Sequence, residues 1–146
     1  MAELTVYDPL RKKKVALTPE EEVRQWFISV LHEELKVPMQ LMMSEVGMKS
    51  GRITEVLKVT RRKEYRADIL VYDRDLNPML VVECKRPDVK LTPEVLSQAL
   101  RYAELLEVKY VAITNGNSTF FAVSRDGKLQ FTGKVPIYDE MIANGK

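Results

Sequence analysis

The segment from Tyr65 to Lys85 constrains this chain more than any other. It reads Tyr-Arg-Ala-Asp-Ile-Leu-Val-Tyr-Asp, a polar turn at Arg74 to Asn77, then Pro-Met-Leu-Val-Val-Glu-Cys-Lys. Two apolar runs joined by a short polar turn predict an antiparallel hairpin. A four-residue loop at Arg74 to Asn77 faces Asp73 with Pro78. That register sets Asp68 opposite Glu83, with β-carbons about 4.5–5.5 Å apart. Residues two apart on a strand share a face, so Glu83 and Lys85 point the same way. Alternation puts Ile69, Val71, Leu80, Val82 and Cys84 on one face and leaves Leu70 and Val81 beside Asp68 on the other. Both faces are apolar, as in strands at the middle of a sheet with helices on each side.

Glu-x-Lys alone is uninformative: it occurs at Glu34/Lys36, Glu83/Lys85 and Glu107/Lys109, and only the second pair lies in an apolar strand. Register gives that pair its meaning. Two carboxylates side by side in a partly buried place repel each other and lose hydration. Lys85 neutralises one charge, and a divalent ion would neutralise the rest. Phosphodiester hydrolysis uses these parts: a metal to bind a phosphate oxygen and lower the pKa of water, and a point charge to stabilise developing negative charge. A buried salt bridge of Lys85 with Asp68 or Glu83, without chemistry, fits the same geometry equally well.

The rest of the chain supplies the frame. A basic lead-in, residues 1–17, is expected to be loosely held, with a short strand at Lys14 to Leu17. Thr18-Pro19-Glu20-Glu21 is a helix start, with Thr18 as N-cap and Pro19 in the first turn. The helix runs to about Lys36, with an apolar stripe of Val23, Phe27, Val30, Leu31 and Leu35, and Pro38 stops it. Residues 40–48 and 65–73 read as strands, with a polar connection around Lys49 to Arg52. Thr92-Pro93-Glu94 opens a second helix to about Leu106. Strands follow at Tyr110 to Thr114 and Thr119 to Val123, joined by the hairpin signal Asn115-Gly116. A weak strand at Lys128 to Phe131 and a short helix near Asp139 to Ala143 end the chain. The order α-β-β-β-α-β-β implies one parallel pair in a mostly antiparallel sheet, an α/β class with a mixed central sheet flanked by helices. The principal domain is expected at 18–131, with a tail at 132–146.

Composition narrows the chemistry. At 146 residues, 45% hydrophobic and 30% charged, the chain reads as one soluble domain, and its apolar runs of five or six residues are too short for a membrane span. One cysteine and one histidine leave too few ligands for structural zinc. Any metal is expected on carboxylates and water, which points to Mg2+ or Mn2+. Cysteine scarcity and a charged N-terminus fit the cytoplasm. A net charge of +2 does not by itself argue for nucleic acid. The basic runs Arg11 to Lys14, Lys58 to Arg66 and Lys85 to Lys90 are solvated faces in the plainest reading.

Further candidates lie on the helices. Glu20 falls on the stripe with Val23, Phe27 and Leu31, Glu21 at its edge and Glu22 opposite. Glu20 is therefore the candidate to ligate a metal or its water, with Glu21 second. Helix capping explains acidic residues there as well, since Thr18 and Glu21 have capping-box spacing. Gln98 and Tyr102, four apart on the second helix, share a face and could orient a phosphate or Lys85. They could equally be the edge of a helix–sheet contact. His32, Cys84 and the methionines Met39, Met42, Met43 and Met48 read as structural.

The runs Arg66-Ala67-Asp68-Ile69-Leu70-Val71 and Val81-Val82-Glu83-Cys84-Lys85-Arg86-Pro87, with Gln98-Ala99-Leu100-Arg101-Tyr102, Ile113-Thr114-Asn115-Gly116 and Pro19-Glu20-Glu21-Glu22-Val23-Arg24-Gln25, resemble the N-terminal nuclease domain of type I restriction enzyme R subunits. The resemblance covers about residues 18 to 123. It implies the PD-(D/E)XK, restriction-endonuclease-like fold and magnesium-dependent DNA cleavage, with Asp68, Glu83 and Lys85 in the motif positions. It makes Gln98 and Tyr102 similar to the glutamine–tyrosine motif of RecB-like nucleases. The family's helix glutamate falls at Glu20 or Glu21, and the resemblance does not choose. Arg66 and Arg86, beside the motif residues, are the candidate DNA contacts. R subunits carry an ATP-driven motor, yet no G-x-x-x-x-G-K-[ST] loop occurs in this sequence. A freestanding relative, or a cleavage module served by a separate motor or modification subunit, is expected. A homodimer is a further expectation, and a catalytically inactive nucleic-acid-binding or assembly module is the alternative function.

Overall fold

Thr18 and Thr92 begin the two main helices, each accepting a backbone N–H at its hydroxyl, from Glu21 at 3.1 Å and Val95 at 3.3 Å. Proline follows each cap, where its missing N–H costs nothing. The computed structural model describes residues 3–47 and 66–144. The expected connection at Lys49 to Arg52 and the basic stretch from Lys58 up to Arg66 lie outside the described residues. Helix α1 spans Pro19–Ser29 and continues as one π-helical turn, Val30–Glu34, closed by Leu35 N–H on Val30 O at 3.1 Å. Helix α2 spans Pro93–Leu106 and α3 Tyr138–Asn144.

Six strands form one sheet: β3 (Met42–Gly47), β4 (Arg66–Tyr72), β5 (Pro78–Cys84), β6 (Tyr110–Thr114), β7 (Thr119–Arg125) and β8 (Lys128–Thr132), side by side in chain order. Only β5 and β6 run parallel, with α2 as their crossover. That is the single parallel pair the element order implied. Helix α1 covers one face through Val23, Phe27 and Leu31 on Ile69, Val71, Leu80 and Val82. Helix α2 covers the other through Leu96, Leu100 and Ala103 on Leu70, Val81 and Val111. Leu80, Val81 and Val82 are 0% exposed, and burying each stabilises the fold by roughly 1.5–3 kcal/mol. Strand β5, which carries Glu83, is therefore among the hardest parts of the molecule to move.

Three details depart from the sequence reading. The lead-in is not a lone strand: Thr5–Asp8 (β1) and Lys13–Ala16 (β2) form an antiparallel hairpin of their own. In the β4–β5 hairpin Tyr72, not Asp73, faces Pro78, and the pairing shifts between Val71 and Tyr72. The loop is longer by one residue because Asp73 organises it, its side chain accepting N–H bonds from Asp75 and Asn77 at 2.9 Å each. The bulge absorbs that extra residue, so Ile69 still faces Val82 as expected. The β6–β7 turn uses four residues rather than the two of the Asn115-Gly116 hairpin signal, because Asn115 Oδ1 accepts the N–H groups of Asn117 and Ser118 at 2.9 and 2.8 Å. Among the described residues no helix is long and apolar enough to cross a membrane.

Candidate active site

Strand β4 delivers Asp68 to a place where its two carboxylate oxygens meet different elements. Cys84 N–H, at the end of β5, donates to Oδ2 at 2.8 Å, and Arg24 Nη2, from α1, donates to Oδ1 at 3.2 Å. Strict alternation puts Asp68 on the α2 side with Leu70 and Val81. Its engagement by α1 has a local cause. Glu45, the β3 residue due to face it, takes a left-handed φ of 51°, and the β3–β4 pairing skips that position. Ala67 then packs with the α2-side cluster, and Asp68 turns to Arg24. Burial pushes the Asp68 carboxyl above its ordinary value. The Cys84 N–H, Arg24 and Lys85 pull against that shift, and the charge of Glu20 adds to it.

Glu83 is half-buried on β5, between Val82 and Cys84, and pairs with Ile113 of β6. The β4–β5 pairs, continued by one step, put its backbone opposite Asp68. Both carboxylates act on the Cys84 thiol. Lys85 leaves the strand half-buried, its N–H bonded to Thr114 O at 2.8 Å, and its charge is felt at Asp68.

The two helix glutamates separate clearly. Glu21 is 7% exposed and committed to packing: it accepts from Arg11 at 2.5 Å, Arg24 at 3.4 Å and Gln25 at 3.2 Å. Glu20 is half-buried in the first turn of α1, with its charge acting on Asp68. Gln98 is exposed on α2, and the side chains of Tyr102 and Arg66 lie outside the described residues. Arg86 is exposed and pairs with Asp88 at 3.1 Å. His32 Nδ1 lies 3.0 Å from Val37 O at the end of the first helix. Burial drives the Cys84 thiol far above its ordinary value, which keeps it an unreactive core group.

A buried ion network around Arg24 escaped the sequence reading. Arg24, 4% exposed, reaches Glu21, Glu45 at 3.1 Å and Asp68. Arg11, in the β1–β2 turn, pairs with Asp8, Glu21 and, at 3.3 Å, Glu45. The signal was present: Arg24, Ile28 and Leu31 share a helical face, and α1 buries that face with Val23 and Phe27. A charged residue on a core-facing stripe needs buried partners.

These side chains suit a hard divalent cation. An ionised carboxylate has about four acceptor sites, and Asp68 uses two, on Arg24 and Cys84 N–H. Among the described residues no three Asp, Glu, His or Cys side chains gather closely enough to encircle an ion. Magnesium asks for only one or two protein carboxylates, because it keeps several waters and shares phosphate oxygens.

Comparison with known proteins places this geometry. The family described as Type I restriction enzyme R protein N terminus (HSDR_N) matches residues 19–136. The Type I restriction enzyme EcoAI endonuclease subunit of Escherichia coli is 32% identical over 78 residues, covering 53% of this chain and 10% of that protein. The chain thus spans about a tenth of that relative. Among solved structures, a fragment assigned as an HsdR subunit of a type I restriction enzyme from Vibrio vulnificus superposes with a TM-score of 0.60 at 23% identity, covering 87% of this chain and 25% of that one. A protein from Anabaena variabilis assigned as a nuclease superposes with a TM-score of 0.50 at 11% identity, covering 99% of this chain and 88% of that one. At those identities the two structures establish the shared nuclease-like fold. With a family match over most of its length, the chain belongs to the nuclease-related N-terminal domain family of type I restriction enzyme R proteins.

Proposed function

We propose that this domain is a Mg2+-dependent DNA endonuclease whose reacting centre is Asp68, Glu83 and Lys85. One observation carries the reading: Asp68 is a desolvated carboxylate within electrostatic reach of Lys85 and Glu20, one step along β4 from the Ile69–Val82 pair that leads into Glu83. Asp68 and Glu83 would hold the ion, which when bound lowers the pKa of water and screens the phosphate. Arg24 and Cys84 N–H orient the Asp68 carboxylate, so little reorganisation is needed at reaction. Lys85, a compact point charge held by its backbone bond to Thr114, stabilises the negative charge that grows on the phosphate. Glu20, whose charge acts on Asp68, would accept a hydrogen bond from the attacking water. Arg86 exchanges its exposed pair with Asp88 for a DNA phosphate, since such pairs contribute little. Within a restriction assembly, a motor or modification subunit would deliver the DNA, and a cytoplasmic setting follows from that role.

Plasmid and branched DNA incubated with the chain and Mg2+ or Mn2+ test this. Cleavage abolished by Asp68→Ala and by Lys85→Ala is expected. Metal-stimulated cleavage that survives both substitutions would sink the proposal. A second reading, a DNA-binding or assembly module without turnover, draws on the Arg24–Asp68 pair, which already gives Asp68 a cation. It predicts DNA binding with no cleavage and no Mn2+ bound at Asp68.

A further inference from the structure

Trp26 is the only tryptophan in the chain, and its side chain is turned outward on α1, 45% exposed. It edges a groove of ≈ 260 Å3 lined by Glu22, Val23 and Trp26 of α1, Pro87 after β5, and Asn115 to Asn117 of the β6–β7 turn. That volume falls below the roughly 300–1,000 Å3 of a pocket for a drug-sized ligand. The walls are tied together. Asn115 Nδ2 donates to Val89 O at 2.8 Å and Asn117 Nδ2 to Pro87 O at 3.3 Å. Gly116 brings the turn against α1, where an added Cβ would meet Val23 Cγ2 at 3.3 Å. Behind Trp26, the buried Phe27 ring sits at 5.8 Å, tilted by 60°.

The groove adjoins the candidate active site. Pro87 lies two residues past Lys85, and Lys85 N–H is bonded to Thr114, the residue before the turn. Val23, which lines the groove, lies three positions after Glu20 on the same face of α1. An exposed indole over an apolar floor offers a stacking surface to any nucleobase, because every base has a π-face. Glu22 on the rim repels phosphate and accepts from the amino groups of a base. The groove therefore selects a base over a backbone. Bases inside a duplex have both faces covered by neighbours, so only an unpaired base reaches it.

We propose that the Trp26 groove is a stacking site for one unpaired nucleobase of DNA, next to the phosphate engaged at Asp68 and Lys85. This deepens the endonuclease reading and rests on it for the choice of DNA.

The single tryptophan makes the test direct. In EDTA, where metal-dependent cleavage is off, the chain's fluorescence is followed as a single-stranded oligonucleotide or its fully paired duplex is added. Saturable quenching by the single strand, with much weaker quenching by the duplex, is expected. Anisotropy of a labelled single strand should show binding weakened about tenfold by Trp26→Leu, the loss of one stacked base, and largely kept by Trp26→Phe. Thermal unfolding of both variants should match the parent, since the side chain is exposed. No quenching, equal quenching by duplex, or unchanged binding by Trp26→Leu overturns the groove. Metal-dependent cleavage without quenching removes the groove alone, and quenching by a chain that never cleaves removes the endonuclease reading alone.

Discussion

Arg24 Nη2 stands 3.2 Å from Asp68 Oδ1, joining helix α1 to strand β4 across 44 residues of sequence. Both side chains are mostly shielded, at 5% and 18% exposure. Removing one partner of such a pair leaves a charge without compensation, a larger loss than the pair's net contribution. Arg24→Met is therefore expected to destabilise the fold by about 3 kcal/mol, lowering Tm by roughly 10 °C. Urea unfolding monitored by circular dichroism measures it. Arg24→Lys keeps the charge but loses the planar fork that serves Glu21, Glu45 and Asp68 together, and should fall between the two.

Asp8 and Asp68 should leave opposite marks on stability against pH. Burial raises the Asp8 carboxyl, but hydrogen bonds from Arg11 and Leu10 N–H outweigh it and hold the group below its ordinary value. A depressed acid contributes stability above its unfolded value, about 4, and loses it as pH falls through the folded value. Asp68 is raised instead. Its contribution is complete below the unfolded value and declines as pH rises through the folded one. Asp8→Asn should thus flatten the acid limb of a stability–pH curve, whereas Asp68→Asn should flatten a decline on the rising side. An unchanged acid limb in Asp8→Asn would contradict a charged Asp8 held by Arg11 and Leu10 N–H.

Cys84 should behave as a core thiol despite its place beside Asp68. Burial is the main cause of its raised value, with the Asp68 charge adding to it. Thiolate is scarce at neutral pH, and Cys84 is only 3% exposed. Reaction with a disulfide reagent should be orders of magnitude slower in the native chain than in denaturant. Cys84→Ala should retain DNA cleavage while losing about 1 kcal/mol of stability. Loss of cleavage in a stably folded Cys84→Ala would give the thiol a role that its burial denies.

Gly116 has a φ of 88° and faces Val23 at close range. A side chain there is strained by the left-handed backbone, at roughly 1–2 kcal/mol, and must push Val23 aside. Gly116→Ala should lower stability by about that amount and narrow the Trp26 groove. Single-strand quenching of Trp26 should weaken with it, read by the same fluorescence titration.

Much of the frame was legible in the sequence because local rules set it. Thr18-Pro19 and Thr92-Pro93 carry their own hydrogen-bonding logic. The two-sided apolar character of β4 and β5 follows from a period of two, and it fixed both the Ile69–Val82 register and the covering of both faces. The helix order around the parallel pair followed from chain connectivity. Asp68, Glu83 and Lys85 were candidates because short-range register was expected to bring them near one another, and the pairs up to Ile69–Val82 keep that register.

The remainder depended on tertiary structure, because long-range charge pairing and local backbone exceptions have no period to read. Glu20 and Glu21 are neighbours in the same helical turn, and only the reach of Arg11 and Arg24 commits Glu21 to a buried network while leaving Glu20 toward Asp68. The left-handed Glu45 turns Asp68 from the α2 side to α1. Asp73 lengthens a loop, and a bulge restores the register behind it. The Trp26 groove exists because a turn after β6, a proline after β5 and a helix near the N-terminus meet at one end of the sheet. Spacing and capping determined which residues were candidates at Asp68, Glu83 and Lys85. Desolvation and ion pairing between distant segments decided how Asp68 is held and which helix glutamate acts on it.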